Sequence, residues 1–193
     1  MRKSWAHLYA PFLALAMIQA ALVLVHPPAA TDTGDPAVVV AVKAAVPQAL
    51  QLIGAAMRLP ADLTQRADTV NDPDQLTARN GLLAQAISSD VLPQQSAEIQ
   101  VALEVVRDDP AYRAYHDNTF TVDSWEGVTV SLTGATALVL LRGHHNYFDE
   151  AGWEPDEVKQ WQLEVANIDG VWKIRTKAAV RLEHADNGVP AER

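Results

Sequence analysis

One long apolar run opens the chain, and two different hydrophobic periods follow it. Leu8 to Val25 spans 18 residues without a charge, polar only at Gln19 and the Tyr9 hydroxyl. Coiled as a helix at about 1.5 Å per residue it is about 27 Å long, near the hydrocarbon thickness of a bilayer. His26 to Asp35, HPPAATDTGD, has the prolines and small polar residues of a short linker. Helical spacing begins next. Asp35-Pro36 pairs an N-cap with proline at the first helical position, and Val39, Val42, Val46, Leu50, Ile53 and Met57 recur three or four apart. The pattern predicts a helix over 37–59, kinked near Ala45–Val46 by Pro47. Lys43, Pro47, Gln48 and Gln51 argue against a second membrane segment there.

Asp72-Pro73 repeats the start signal, and Leu76, Leu83, Ala86 and Ile87 predict a helix ending near Asp90. Residues 96–107 fit both periods: Ile99, Leu103 and Val106 suit a helix, whereas Ile99, Val101, Leu103 and Val105 alternate like a strand. Ser96 as N-cap and Asp108-Asp109-Pro110 as a stop favour the helix.

Beyond Pro110 the period becomes two. Thr119–Trp125 and Val128–Leu132 predict strands, with a bulge or bend at Gly127, and Thr133-Gly134 turns the chain into a further strand over 135–147. Residues 148–156 form a polar loop, 158–168 the next strand, Asp169-Gly170 a two-residue hairpin and 171–183 the last strand. Along that strand Trp172, Ile174, Thr176, Ala178, Val180 and Leu182 share one face, and Lys173, Arg175, Lys177, Arg181 and Glu183 the other. One buried and one wet face is the signature of an antiparallel sheet covered by helices on a single side.

Charge separates the apolar run from the rest. No acid precedes Asp32, while Arg2 and Lys3 lie at the start; residues 31–193 carry all 24 acids and 13 of the 15 bases, a net charge of −11 within a total of −9. Arg2 and Lys3 on the cytoplasmic side, with Trp5 and Tyr9 at the interface, orient residues 8–25 as a single span whose downstream part lies outside the cytoplasm. A cleaved signal peptide is the alternative, but Val25-His26-Pro27-Pro28-Ala29-Ala30 would place a proline at the −3 position. The acidic balance disfavours nucleic-acid binding. Zero cysteines exclude disulfides, thiol nucleophiles and lipid attachment through a thiol.

Helices followed by a strand meander resemble the nuclear-transport-factor-2-like fold, a curved sheet wrapped over helices as a half-open cone. Ser124–Val130, Gly143-His144-His145-Asn146-Tyr147, Trp161-Gln162-Leu163 and Asp169–Ile174 are similar to segments of actinobacterial single-span membrane proteins with that domain outside the cytoplasm. Mce-associated membrane proteins and conjugation or type IV secretion assembly factors belong to this group. The resemblance implies an α+β fold and an assembly role, and carries over no catalytic motif.

Several groups could carry chemistry. His144-His145 beside Asp149 and Glu150 looks like a metal site, but adjacent strand residues face opposite ways, so one solvent-facing and one hydrogen-bonded histidine is the simpler reading. Asp123, Glu164, His144, His145, Tyr112, Tyr115 and Tyr147 are the proton-transfer groups available to a cone pocket, and no spacing among them selects a pair. Lys173, Arg175, Lys177 and Arg181 could dock an acidic partner, or could simply guard a solvated face. Trp153, beside Gly152 and Pro155, could cap a cone mouth or meet a partner. No phosphate loop, nucleophile elbow or zinc-protease motif is present, and no cofactor is implied.

The expected organisation is therefore a cytoplasmic tip (1–7), an anchor (8–25), a linker (26–35), an α+β cone (36–184) and a tail (185–193). The expected role is a non-catalytic accessory or assembly subunit of a cell-envelope complex, with envelope proteins or further copies of itself as partners. The alternative is a ligand-binding or isomerase-like cone with a pocket carboxylate.

Overall fold

The computed structural model describes residues 32–60, 62–107, 118–149, 152–155 and 158–180. The tip, the apolar run 8–25, most of the linker, Tyr112, Tyr115, Arg181 to Glu183 and the tail lie outside them. Among the described residues the fold is α+β, with four helices followed by an antiparallel sheet.

Helix α1 is Pro36–Ala56, and it starts as its sequence predicts: the Asp35 carboxylate accepts the Ala37 N–H at 2.8 Å, with proline in the first turn. It runs through Pro47 and ends at Ala56 rather than Leu59. Pro60 disfavours helical geometry in the residue before it, and Leu59 is instead buried beside Val70 and Leu103. Among the described residues α1 is the one helix long and apolar enough to cross a membrane by length and composition. Its apolar face is occupied by the protein's own sheet, where Val42, Val46 and Leu50 are buried with Val128, Val139, Leu141 and Leu163.

The linker reading fails at its end. Thr33 pairs with β1 (Thr119–Val130), donating to Val128 O at 2.8 Å and accepting from Val130 N at 3.0 Å. An unpaired sheet edge offers hydrogen bonds that a neighbouring segment can take, so 32–35 belong to the domain.

Helix α2 (Leu63–Asn71) is absent from the hydrophobic pattern. Its N-cap is clear, with Asp62 accepting from Thr64 N and Gln65 N at 2.8 and 3.0 Å. One of its inward groups is Arg66, fully buried, whose Nε donates to Pro60 O at 2.6 Å. With Arg66 in an inward position, this short helix shows no continuous apolar stripe.

Asp72 closes α2 and opens α3 (Pro73–Ala86), accepting from Asp74 N at 2.8 Å and Gln75 N at 2.9 Å. Replacing it by Ala is expected to lower stability by about 1–2 kcal/mol, with most of that restored in Asp72→Ser. Urea unfolding of the two variants checks this. Helix α3 stops at Ala86, before the expected Asp90, because Ile87 turns extended and bridges Ile174 while Ser88 N donates to Ile174 O at 2.9 Å. Helix α4 (Leu92–Arg107) resolves the ambiguous segment. Leu103 is buried while Val101 and Val105 are 60 % and 50 % exposed, a helical distribution that a strand would not give. Ser96 lies inside α4 rather than capping it, and its hydroxyl donates to Asn80.

The sheet is a meander ordered β1, β2 (Thr136–Asp149), β4 (Lys159–Ile168), β5 (Val171–Val180). Short β3 (Gly152–Pro155), expected as loop, pairs with the far end of β2, and Trp153 stands opposite Phe148. Asp169-Gly170 makes the predicted tight turn, with φ of 51° and 85°. Thr119–Trp125 and Val128–Val130 form one strand instead of two, interrupted by register shifts.

Candidate functional site

Three extra residues set the chemistry of this sheet. Between Val122 and Ser124, and between Trp125 and Gly127, β1 gains Asp123 and Glu126; between Ile174 and Thr176, β5 gains Arg175. A bulge adds one residue to one strand and reverses which side chains face inward beyond it. All three are charged, and each finds a partner. The Asp123 carboxylate lies 2.7 Å from His144 Nδ1. Glu126 accepts from Arg142 and Gln160. Arg175 donates to Asp90 at 2.8 Å and Glu164 at 3.1 Å, and Glu164 also accepts from Thr176 Oγ1.

The bulge at Arg175 removes the expected basic stripe. Up to Ile174 the alternation follows the sequence, with Trp172 and Ile174 buried. Beyond it Thr176 pairs with half-exposed Glu164, and Lys177 pairs with fully buried Leu163. Thr176 therefore leaves the core side and Lys177 joins it. Lys173 donates instead to Ala84 O at 2.7 Å, in the last turn of α3, where a cation favours the negative end of the helix. The three described basic positions thus do three separate jobs on this strand, and Arg181 lies outside the described residues.

Lys177 Nζ sits 4.2 Å from the centre of the Trp161 ring and 5.1 Å from that of Phe120. The two rings meet edge to face at 5.3 Å, and Trp161 Nε1 donates to Gly143 O at 3.1 Å. Lys177 also lines a partly open cleft of about 170 Å³. Its apolar wall is Ile53 of α1, Met57 just past the end of that helix, Ile87, Ile99 of α4 and Ile174; Gln95 and Arg175 complete it. Among the described residues no carboxylate lines this cleft.

Burial pushes the Lys177 ammonium down from 10.5 to about 8, with the like charge of Lys159 adding to the effect. Hydrogen bonds from the Ser88 hydroxyl and the Arg175 guanidinium hold the Asp90 carboxyl below its ordinary range, and Asp90 raises Arg175 in return. Below about pH 8 Lys177 is charged in both folded and unfolded chains, so the folded state bears the full burial cost. Between about 8 and 10.5 the folded state releases this proton first, the unfolded chain holds more protons, and stability rises with pH. Lys177→Met is expected to gain about 1–2 kcal/mol at pH 7 and to lose that rise. Urea unfolding of both proteins from pH 7 to 10.5 checks it.

The remaining predicted groups do not converge. Asp123 and His144 pair with each other, Glu164 joins Arg175, and neither acid lines the cleft. His145 stands opposite Phe120 and Tyr147 opposite Glu154 in the ladders; their side chains, like that of Trp153, lie outside the description. Among the described residues no group of three metal-ligating side chains forms. By alternation alone Lys177 belongs to a surface stripe, and its place in the cleft is not visible. The available signal was Trp161, an inward aromatic on the neighbouring strand.

No family profile matches the chain, and no curated protein matches it. Among solved structures it is similar to the intermembrane-space region of the chloroplast protein ARC6, at 19 % identity and a TM-score of 0.37, over 57 % of this chain and 82 % of that one.

Proposed function

We propose that this protein is a membrane-anchored, non-catalytic accessory or assembly subunit of a cell-envelope complex, held by residues 8–25 with its α+β domain outside the cytoplasm. The observation that carries the non-catalytic reading is the composition of the cleft: its polar groups among the described residues are Gln95, Arg175 and Lys177, and neither Asp123 nor Glu164 lines it. A proton-abstracting cone needs a carboxylate in its apolar pocket, so the isomerase-like alternative lacks its base among the described residues. The basic-tipped apolar run supports the anchor. Helices preceding a bulged antiparallel meander support kinship with the nuclear-transport-factor-2-like cone.

Crosslinking of the full chain in intact cells, followed by identification of copurified proteins, tests the role. Envelope secretion, conjugation or transport components are the expected partners, and recovery of the uncrosslinked chain alone would overturn the reading. The absence of cysteine makes topology accessible separately. Thr133→Cys, on an exposed turn, should react with a membrane-impermeant maleimide in intact cells while the chain stays in the membrane fraction. Labelling only after lysis, or recovery in the soluble fraction, defeats the proposed topology.

A further inference from the structure

We propose that the cleft closed by Lys177 is a binding site for a small organic monocarboxylate, its carboxylate on the Lys177 ammonium and its apolar body against Ile53, Met57, Ile99 and Ile174. Charge and shape both point to this class of ligand. Among the described residues Lys177 has neither a hydrogen bond nor a carboxylate partner; its contacts are the faces of Trp161 and Phe120. Lys177 is partly exposed, and a cation laid on ring faces with incomplete hydration and no counter-ion is stabilised by an anion entering beside it. The neighbouring charges leave room for only one such anion. Arg175 is already engaged by Asp90 and Glu164, whereas Lys159 adds positive potential at Lys177.

The opposite wall is hydrocarbon, so a fully hydrated inorganic anion would leave it uncovered. The volume of about 170 Å³ is close to the roughly 150 Å³ of an apolar cavity that accepts benzene. That size suits an aliphatic or aromatic body of about six carbons. The lowered proton affinity of Lys177 agrees with this site, since a bound carboxylate would reverse it.

The proposal stands apart from the envelope role. Fractionation and crosslinking read that role, whereas lysine protection reads this site, so failure of one does not mimic failure of the other. Hexanoate is the probe, hexan-1-ol and hexylamine are its neutral and cationic counterparts, and the full-length chain is the protein. After a brief pulse of acetic anhydride, peptide mass spectrometry compares Lys43, Lys159, Lys173 and Lys177. Saturating hexanoate is expected to slow acetylation of Lys177 by about fivefold or more, leaving Lys43 and Lys173 within about twofold, with Kd on the order of 0.1–1 mM. In calorimetry Lys177→Met is expected to weaken hexanoate by about tenfold, and Lys177→Arg to retain most of the affinity. The proposal is overturned by unprotected Lys177 at about 50 mM hexanoate, roughly fifty times the weaker Kd expected. Equal protection by hexan-1-ol, or undiminished hexanoate binding by Lys177→Met, overturns it too.

Discussion

Gly143→Ala is expected to destabilise the domain by about 3 kcal/mol or more, a large fraction of the roughly 5–15 kcal/mol of an ordinary domain. A β-carbon at this position would lie 2.5 Å from Thr121 O and 2.8 Å from the Phe120 ring. Neither obstacle can yield cheaply. The Thr121 carbonyl belongs to the β1 backbone, and Phe120 is itself buried against Trp161, whose indole donates to Gly143 O. The missing side chain therefore lets two strands and two rings share one place, and Lys177 Nζ lies over the same two rings. Gly81, whose added β-carbon meets nothing within 4 Å, is the control. Gly81→Ala lies in α3 and should be neutral or stabilising by up to about 1 kcal/mol. Comparable losses in the two variants, measured by thermal and urea unfolding, would show that steric exclusion at Gly143 is not the cause.

Arg79→Met ranks next, with an expected loss of about 2–4 kcal/mol. Arg79 is 5 % exposed, its Nε donates to Ala56 O at 3.2 Å and its Nη1 to Gln100 Oε1 at 2.7 Å. Burial lowers its proton affinity, yet the guanidinium keeps its place because it serves the carbonyl end of α1, where a cation is favoured. Gln100 in turn donates to Val70 O at 3.2 Å, so one polar chain ties α1, α2, α3 and α4 together. Methionine fills similar volume but leaves Ala56 O and Gln100 without their donor. A double-mutant cycle with Gln100→Leu should show coupling of about 1 kcal/mol or more. A single variant within about 0.5 kcal/mol of the parent protein would refute the argument.

The comparison of pattern with structure is most informative along β1 and β5. In β1 the inward apolar positions are Phe120, Val122, Trp125, Val128 and Val130, and the two steps of three among them mark the two bulges. That signal is visible in the sequence because each step ends on an apolar residue. In β5 the corresponding step runs from Ile174 to Lys177 and ends on a charged residue. Period-two reading therefore continues past it and assigns Lys177 to solvent. The same limit hides α2, whose inner face includes Arg66, and β3, whose four residues are too few to show a period. Asp35 and Asp72 start their helices as read, because a side chain meeting an N–H two or three residues away is a local event, whereas Ser96 lies inside α4 and bonds Asn80 instead.

Local pattern by itself determined the helices at Pro36 and Pro73, the order of helices before strands, the hairpin at Asp169-Gly170 and the α+β class. Each depends on neighbours in sequence: period, caps and turn residues. Tertiary structure alone decided that Thr33 pairs with the β1 edge and that Arg175 bulges out of β5. Those outcomes depend on partners distant in the chain, through edge hydrogen bonds, shared burial and strand register. The cleft follows from the last of them, since one extra residue in β5 exchanges the faces of Thr176 and Lys177 and puts an ammonium beside the Trp161 ring.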